Sequence, residues 1–286
     1  MIGTYTEEEL EQLHEELYEI LDEIIRVCEE NHIPYFIQGG TAIGAHFEQA
    51  ILPWDDDIDI GMTRRDYNRF VKIAPRMLKK GYFMQHVYTD PNTPFYFTKI
   101  RKDRTLFVEE DFAHMDIHQG IFVDVFPFDK VPDNQCLQKL QRLFCNFLNC
   151  CFMGKSIWMW KHCGKCEIKQ PTNRGFLPCM MNRIVDMMFN KRSIYKMLSA
   201  AQGWFNNIDA TYYNMVLMPR DHIAVKSIEN AQQVKFGPLM VTAPNDLETY
   251  LKHHYRNLRK HIPKEEQQNH RPIKLSFDTT KDKTEV

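Results

Sequence analysis

Acids embedded in apolar strand pattern constrain this chain more than any other feature. In Leu52-Pro53-Trp54-Asp55-Asp56-Asp57-Ile58-Asp59-Ile60-Gly61-Met62, Ile58, Ile60 and Met62 alternate with Asp57, Asp59 and Gly61. That period of two is a strand, and it places the Asp57 and Asp59 carboxylates on one face. Neighbouring carboxylates repel unless a cation lies between them. Asp124 stands in a like context, Val123-Asp124-Val125, where an ionised side chain is costly unless it is paired or metal-bound. Upstream, Tyr35-Phe36-Ile37 leads into Gly39-Gly40-Thr41 and a short helical stretch to Gln49. A strand-to-helix junction rich in glycine aims backbone N–H groups and the positive end of a helix dipole at one point, the chemistry of a phosphate cradle. A cradle and three strand-borne acids fit metal-assisted phosphoryl or nucleotidyl transfer with Mg²⁺ or Mn²⁺.

The 286 residues suffice for one large or two small domains. A net charge of −2 argues against wholesale nucleic-acid binding. The acidic start lacks signal-peptide character, and no apolar run approaches a membrane span; both point to a cytoplasmic, reducing setting. Charge is unevenly spread. Residues 1–31 hold eleven acids and one base, residues 136–200 eleven bases and two acids, and seven of eight cysteines lie between Cys136 and Cys179. We therefore divide the chain into a catalytic core (1–135), a basic, Cys/Met-rich helical insertion (136–205), a part completing the fold (206–270) and a loosely ordered polar tail (271–286).

Thr6-Glu7-Glu8-Glu9 is a capping box opening an amphipathic helix to Asn31. Thr63 caps a second helix, bent at Pro75 and stopped at Gly81. Strands are expected over 82–88, 95–101, 105–110 and 121–126, the last closed by Pro127, and again over 212–217 and 234–240. Helices are expected over 134–153, 179–205 and from a cap at Asn245.

Other readings of these residues remain open. The aspartate run could be a calcium loop, though Ile60 and Asp66 stand where an EF-hand needs Gly and Glu. Gly39-Gly40 alone could be a turn, Asp124 a buried acid satisfied by backbone donors, and His118 a core or loop histidine. Lys99 and Arg101 share a strand face and serve either as phosphate counter-charges or as a solvated edge. Cys163 and Cys166 have half-site spacing for structural Zn, with Cys150, Cys151 and Cys179 as further ligands; free thiols are the plainer reading. The Met- and Trp-rich insertion is either core or a basic contact with an anionic membrane surface. Trp54, Phe95 and Tyr96 are candidates for an aromatic cage around a quaternary ammonium group.

Gly-Gly, Asp-x-Asp between apolar residues and a lone apolar-flanked Asp resemble the DNA-polymerase-beta-type nucleotidyltransferase superfamily. More narrowly, Leu52–Met62 and His118-Gln119-Gly120-Ile121-Phe122-Val123-Asp124-Val125-Phe126-Pro127-Phe128-Asp129 resemble signatures of the LicD family, which includes phosphorylcholine transferases and is related to fukutin-like proteins. The likeness spans residues 7–132 well and 230–275 weakly. It implies an α/β (α+β) fold: a nucleotidyltransferase-like mixed sheet flanked by helices, with a helical insertion. It also implies transfer of phosphocholine, or a related phospho-alcohol, from a CDP-linked donor such as CDP-choline to a sugar hydroxyl. The acceptor would be a surface glycan or lipid-linked precursor, of lipopolysaccharide or teichoic acid, reached at the inner face of the membrane. By the same resemblance Asp57 and Asp59 would be metal ligands, Asp55 a further ligand or a supporting group, and Asp124 the third acid. Gly39, Gly40 and Thr41 would hold donor phosphate. His118 falls within the motif without a fixed role. The pattern departs at Tyr255-Arg256-Asn257, where the family carries Tyr-Gly-Asp. Nucleotidyl transfer from an NTP, releasing pyrophosphate, and a non-catalytic binding protein on the same fold are the rival functions.

Overall fold

The computed structural model describes residues 5–162, 189–255, 258–260, 262, 263, 265, 267 and 269–280. Cys163, Cys166, Cys179, Arg256 and Asn257 lie outside them, as does the 179–188 part of the helix expected over 179–205.

Helix α1 (Glu7–Glu30) begins at the expected box: the Thr6 hydroxyl accepts from the Glu9 amide and the Glu9 carboxylate accepts from the Thr6 amide. Its stripe of Leu13, Leu17, Ile20, Leu21 and Ile24 is buried. Strands β1 (Phe36–Ile37), β2 (Asp59–Thr63), β6 (Phe122–Val131), β4 (Thr98–Lys102) and β3 (Tyr82–Gln85) lie side by side in that order. β2 and β6 run parallel and the other pairs antiparallel. β7 (Tyr212–Met215) pairs with the far end of β6 and with β8 (Met218–Ala224). Two further pairs complete the set: β5 (Leu106–Val108) with β11 (Lys274–Ser276), and β9 (Gln232–Phe236) with β10 (Leu239–Ala243). Helices α2 (Gly39–Phe47) and α3 (Arg64–Met77) connect the first strands, and α4 (Gln135–His162), α5 (Lys191–Gln202), α6 (Val225–Glu229) and α7 (Leu247–His254) follow. The class is a mixed sheet with helices.

The main apolar core lies between α1, α3 and the Ile58, Ile60, Val123 and Val125 face of the sheet. A second apolar cluster joins α4 and α5 through Cys145, Leu148, Phe152, Ile194 and Leu198. Arg64, at the start of α3, reaches from the first unit toward the second: it meets Asp129 of β6 and Ser199 and Gln202 of α5.

Several boundaries differ from the sequence expectation. Strand β6 runs through Pro127 to Val131. Asp124 donates its N–H to the carbonyl of Ile58, the residue before β2, so by alternation the Pro127 nitrogen faces the other edge. On that edge β4 pairing ends at Val125 and β7 pairing begins at Asp129, and the missing donor costs no ladder bond. The single strand expected over 234–240 is a hairpin, turning at Gly237, whose φ of 59° suits glycine. The helix cap expected at Asn245 is Asp246, which accepts from the Thr249 amide. Helix α4 extends to His162, nine residues beyond the expected end. In the polar tail, Lys274–Ser276 form an ordered strand.

Gly61 sits mid-strand because a Cβ there would lie 2.4 Å from the Phe36 ring and 2.7 Å from that of Phe128. Gly61→Ala is expected to destabilise the fold by about 1–3 kcal/mol through overpacking, measured as a lowered urea midpoint with an unchanged slope.

Candidate active site

The site is built by strand register. Asp59 on β2 pairs with Asp124 on β6, and Asp124 pairs with Lys99 on β4. Paired residues share a sheet face, so two acids and a lysine stand in a row across three strands. The Lys99 ammonium lies 3.0 and 3.1 Å from the two Asp124 oxygens. It also lies 3.3 Å from the Phe122 ring centroid, with Phe95 and Phe97 at 4.7 and 5.6 Å.

Helix α2 starts beside this row. Gln38 donates its amide to the Asp59 carbonyl at 3.2 Å, and the Thr41 hydroxyl accepts from the Asp59 amide at 2.8 Å. Gly39 adopts φ 58° at the first helical position. A Cβ there would stand 3.4 Å from an Asp59 carboxylate oxygen, and one on Gly40 2.8 Å from an Asp55 oxygen. The glycines let carboxylates and backbone approach closely. The Gly39 amide donates to the Tyr250 hydroxyl at 3.3 Å; the next first-turn amides have no intrahelical acceptor and are available to an anion.

These groups open on a cavity of about 370 Å³. Its lining holds Gly39, Gly40, Asp56, Asp57, Asp59 and Asp124 and five phenylalanines, Phe95, Phe97, Phe107, Phe122 and Phe126, of which Phe122 and Phe126 flank Asp124 on the same face of β6; Glu109, Tyr255 and His270 also line it. The acids hold their protons unusually tightly. Burial, then the charges of Asp57 and Asp124, raises Asp59 well above the usual carboxylate range. Asp57 is raised by burial. Burial and the charges of Asp57 and Asp56 push Asp55 up to about 8. Burial pushes Asp56 to about 6, and Asp124 to about 6 against the pull of Lys99.

The donor set suits a hard cation. Ligand atoms of Asp56, Asp57 and His270 lie within 4.8 Å of one another. One Asp56 oxygen accepts from the Tyr5 hydroxyl and the His270 amide, each at 2.8 Å. The other is buried without a hydrogen-bond partner, the kind of orphaned acceptor a divalent ion satisfies.

The sequence expectations separate clearly. Asp57, Asp59, Asp124, Gly39, Gly40 and Lys99 line the one cavity. Thr41 is buried and props Asp59 from behind. Asp55 lies beneath the acidic wall, outside the cavity lining, with its carbonyl 2.8 Å from His14 Nε2. Arg101 is fully buried; its guanidinium donates to Gln85 and to the Gly120 carbonyl, both at 2.6 Å. Its place is inside the sheet rather than at the cavity. His118 stacks on Phe83, accepts from the Gly120 amide and meets Asp103 at 3.0 Å, also away from the cavity. Of the proposed cage residues only Phe95 lines the site; Tyr96 belongs to the second apolar cluster.

Asp56, His270, Glu109, Tyr255 and the phenylalanines other than Phe95 are added by the structure. Asp56 lies in the aspartate run but off the strand alternation. His270 sits just before β11, whose pairing with β5 draws the tail alongside residues 106–108.

A folded-state pKa above the unfolded one means that the folded chain binds protons more tightly. The stability from this cluster is therefore present below about pH 4 and lost as pH rises through about 6 and about 8. The metal-free protein is expected to melt lower at about pH 8.5 than at about pH 5.5, with added Mg²⁺ raising the melting temperature more at the alkaline end. Calorimetry with and without chelator checks both signs.

Residues 32–145 match the family model described as "LicD/FKTN/FKRP, nucleotidyltransferase domain". The chain is 26% identical over 275 residues to lipopolysaccharide cholinephosphotransferase LicD of Haemophilus influenzae, covering 88% of this chain and 91% of that protein. An uncharacterised protein of Rickettsia typhi is 37% identical over 70 residues, 24% of this chain and 23% of its own. An uncharacterised protein of Rickettsia prowazekii is 34% identical over 70 residues, 24% and 26%. The matched region holds the glycine junction, Asp57, Asp59 and Asp124, so the part of the chain that builds the cavity is the part similar to that nucleotidyltransferase domain.

Proposed function

We propose that this protein transfers phosphocholine, or a closely related phospho-alcohol group, from a CDP-linked donor to a sugar hydroxyl of a surface glycan such as lipopolysaccharide. The observation that carries the reading is the row Asp59–Asp124–Lys99 set beside the Gly39-Gly40 end of α2. Similarity over most of the chain to a lipopolysaccharide cholinephosphotransferase supports the choice of group.

Asp57 and Asp59, with Asp56 and His270 alongside, would hold a divalent ion, Mg²⁺ or Mn²⁺. Such an ion supplies neutralisation of phosphate charge. The α2 amides receive donor phosphate oxygens. Asp124, held near 6, is suited to accept the proton of the attacking hydroxyl at neutral pH. Lys99 tempers its charge. The lining phenylalanines offer ring faces to a quaternary ammonium head group. Donor supply places the reaction on the cytoplasmic side, and among the described residues no helix is long and apolar enough to cross a membrane.

A thermal-shift panel of CDP-choline, CDP-ethanolamine, CDP-glycerol, CDP-ribitol, CTP and ATP, each with Mg²⁺, tests the donor. A ligand at about 100 times its dissociation constant adds about 2.7 kcal/mol to the folded state. A Mg²⁺-dependent shift with CDP-choline, absent in Asp57→Asn, supports the reading. A shift confined to CTP or ATP would replace it with nucleotidyl transfer.

A further inference from the structure

Helix α4 shows an apolar face to solvent. Leu140 and Leu143 are 64% and 69% exposed, Leu137, Phe144 and Phe147 between 41% and 43%. Spacings of three and four residues put these five side chains on one stripe. The opposite stripe, through Cys145, Leu148 and Phe152, is buried against α5. Trp204, 52% exposed, stacks on Phe144 with ring centroids 5.1 Å apart, and so widens the patch beyond the helix.

Isolated exposed leucines need no explanation, but a contiguous stripe of this size does. Its borders say what covers it. Helix α4 contains Lys139, Arg142, Lys155 and Lys161 and no acid over 28 residues. By helical spacing Lys139 projects from the edge of the apolar stripe, while Arg142 stands roughly 150° around the helix from the stripe's centre. A second copy of the same face would bring two basic borders together, whereas an anionic lipid surface is complementary to both the stripe and its border.

We propose that the Leu137–Phe147 face of α4, with Trp204, is an interfacial membrane-docking surface selective for anionic lipid. The helix lies in the plane of the headgroups, with Leu140, Leu143 and Phe147 entering the acyl boundary and Lys139 at its edge contacting headgroup phosphates. The proposal is independent of the donor assignment. It makes the protein peripheral, and suits an enzyme whose acceptor is anchored in a bilayer.

The test is co-sedimentation of the full chain with phosphatidylcholine vesicles with and without phosphatidylglycerol. Binding is expected to phosphatidylglycerol-containing vesicles, weaker in high salt as screening grows. The triple variant Leu140→Glu/Leu143→Glu/Phe147→Glu, altering exposed positions only, is expected to keep its melting temperature and lose at least about tenfold in partitioning. Lys139→Glu is expected to weaken the preference for phosphatidylglycerol. Wild-type protein that ignores both vesicle types, or a triple variant that sediments like wild type, overturns the proposal. So does light scattering that shows a dimer converted to monomer by Leu143→Glu.

Discussion

Asp57→Asn is expected to lower group transfer by about a hundred- to a thousandfold while leaving the fold intact. Asp57 belongs both to the Asp56–Asp57–His270 cluster and to the wall formed with Asp59 and Asp124. An asparagine keeps the volume but removes the charge that a cation and a charged transition state require, and the loss of one such electrostatic partner costs about 10²–10³ in rate. The stability effect has the opposite sign. Burial disfavours the charged form of Asp57, so the neutral amide relieves repulsion in the metal-free protein. The variant is expected to melt slightly higher than wild type without metal, and to lose the upward shift with Mg²⁺. Steady-state rates and paired melting curves measure both. Loss of activity through unfolding would show as a lower melting temperature instead.

The second large effect concerns stability. Arg64→Met is expected to destabilise the protein by about 3–5 kcal/mol. The Arg64 guanidinium grips both Asp129 oxygens, at 2.9 and 2.5 Å, with the two side chains 9% and 1% exposed. It also donates to Ser199 and Gln202, each at 3.0 Å. Methionine fills similar space and strands the buried Asp129, which would keep only Asn206 as a side-chain donor, at 2.7 Å. At roughly 2–4 °C per kcal/mol for a larger domain, the melting temperature should fall by on the order of ten degrees. Arg64→Met/Asp129→Leu should recover much of the loss, because a buried ion pair replaced by apolar groups is often neutral or better. A double variant no better than the single one would show that the carboxylate has other partners to lean on.

The candidate site was legible where a local pattern decided the outcome. The Thr6–Glu9 box, the alternation around Asp57 and Asp59 and the apolar strand around Asp124 each fix a conformation within a few residues, and the three acids do line one cavity. Lys99 was found by its strand face, but Arg101 on the same face was not separable from it. Gln85 and the Gly120 carbonyl, which take its donors, come from another strand and a loop. His118 looked functional because it opens a motif; its partners Asp103 and Phe83 are likewise set by long-range pairing. His270 and Asp56 meet only because β11 pairs with β5, more than 160 residues away in sequence. Pro127 reads as a strand terminator, and only the gap between β4 and β7 on one edge of β6 makes it tolerable. Residues 218–224, with Pro219 near their start, show no pattern that assigns them an element, yet they form β8 by pairing with β7.

The most direct test of the central claim is product analysis. Purified protein, CDP-choline, Mg²⁺ and a glycan acceptor are incubated, and phosphorus NMR with mass spectrometry follows the phosphate. The account predicts CMP release matched one for one by a phosphocholine ester on the glycan, absent with chelator and absent in Asp57→Asn. CDP-choline left intact under these conditions, while a parallel reaction with CTP in its place releases pyrophosphate, would contradict it.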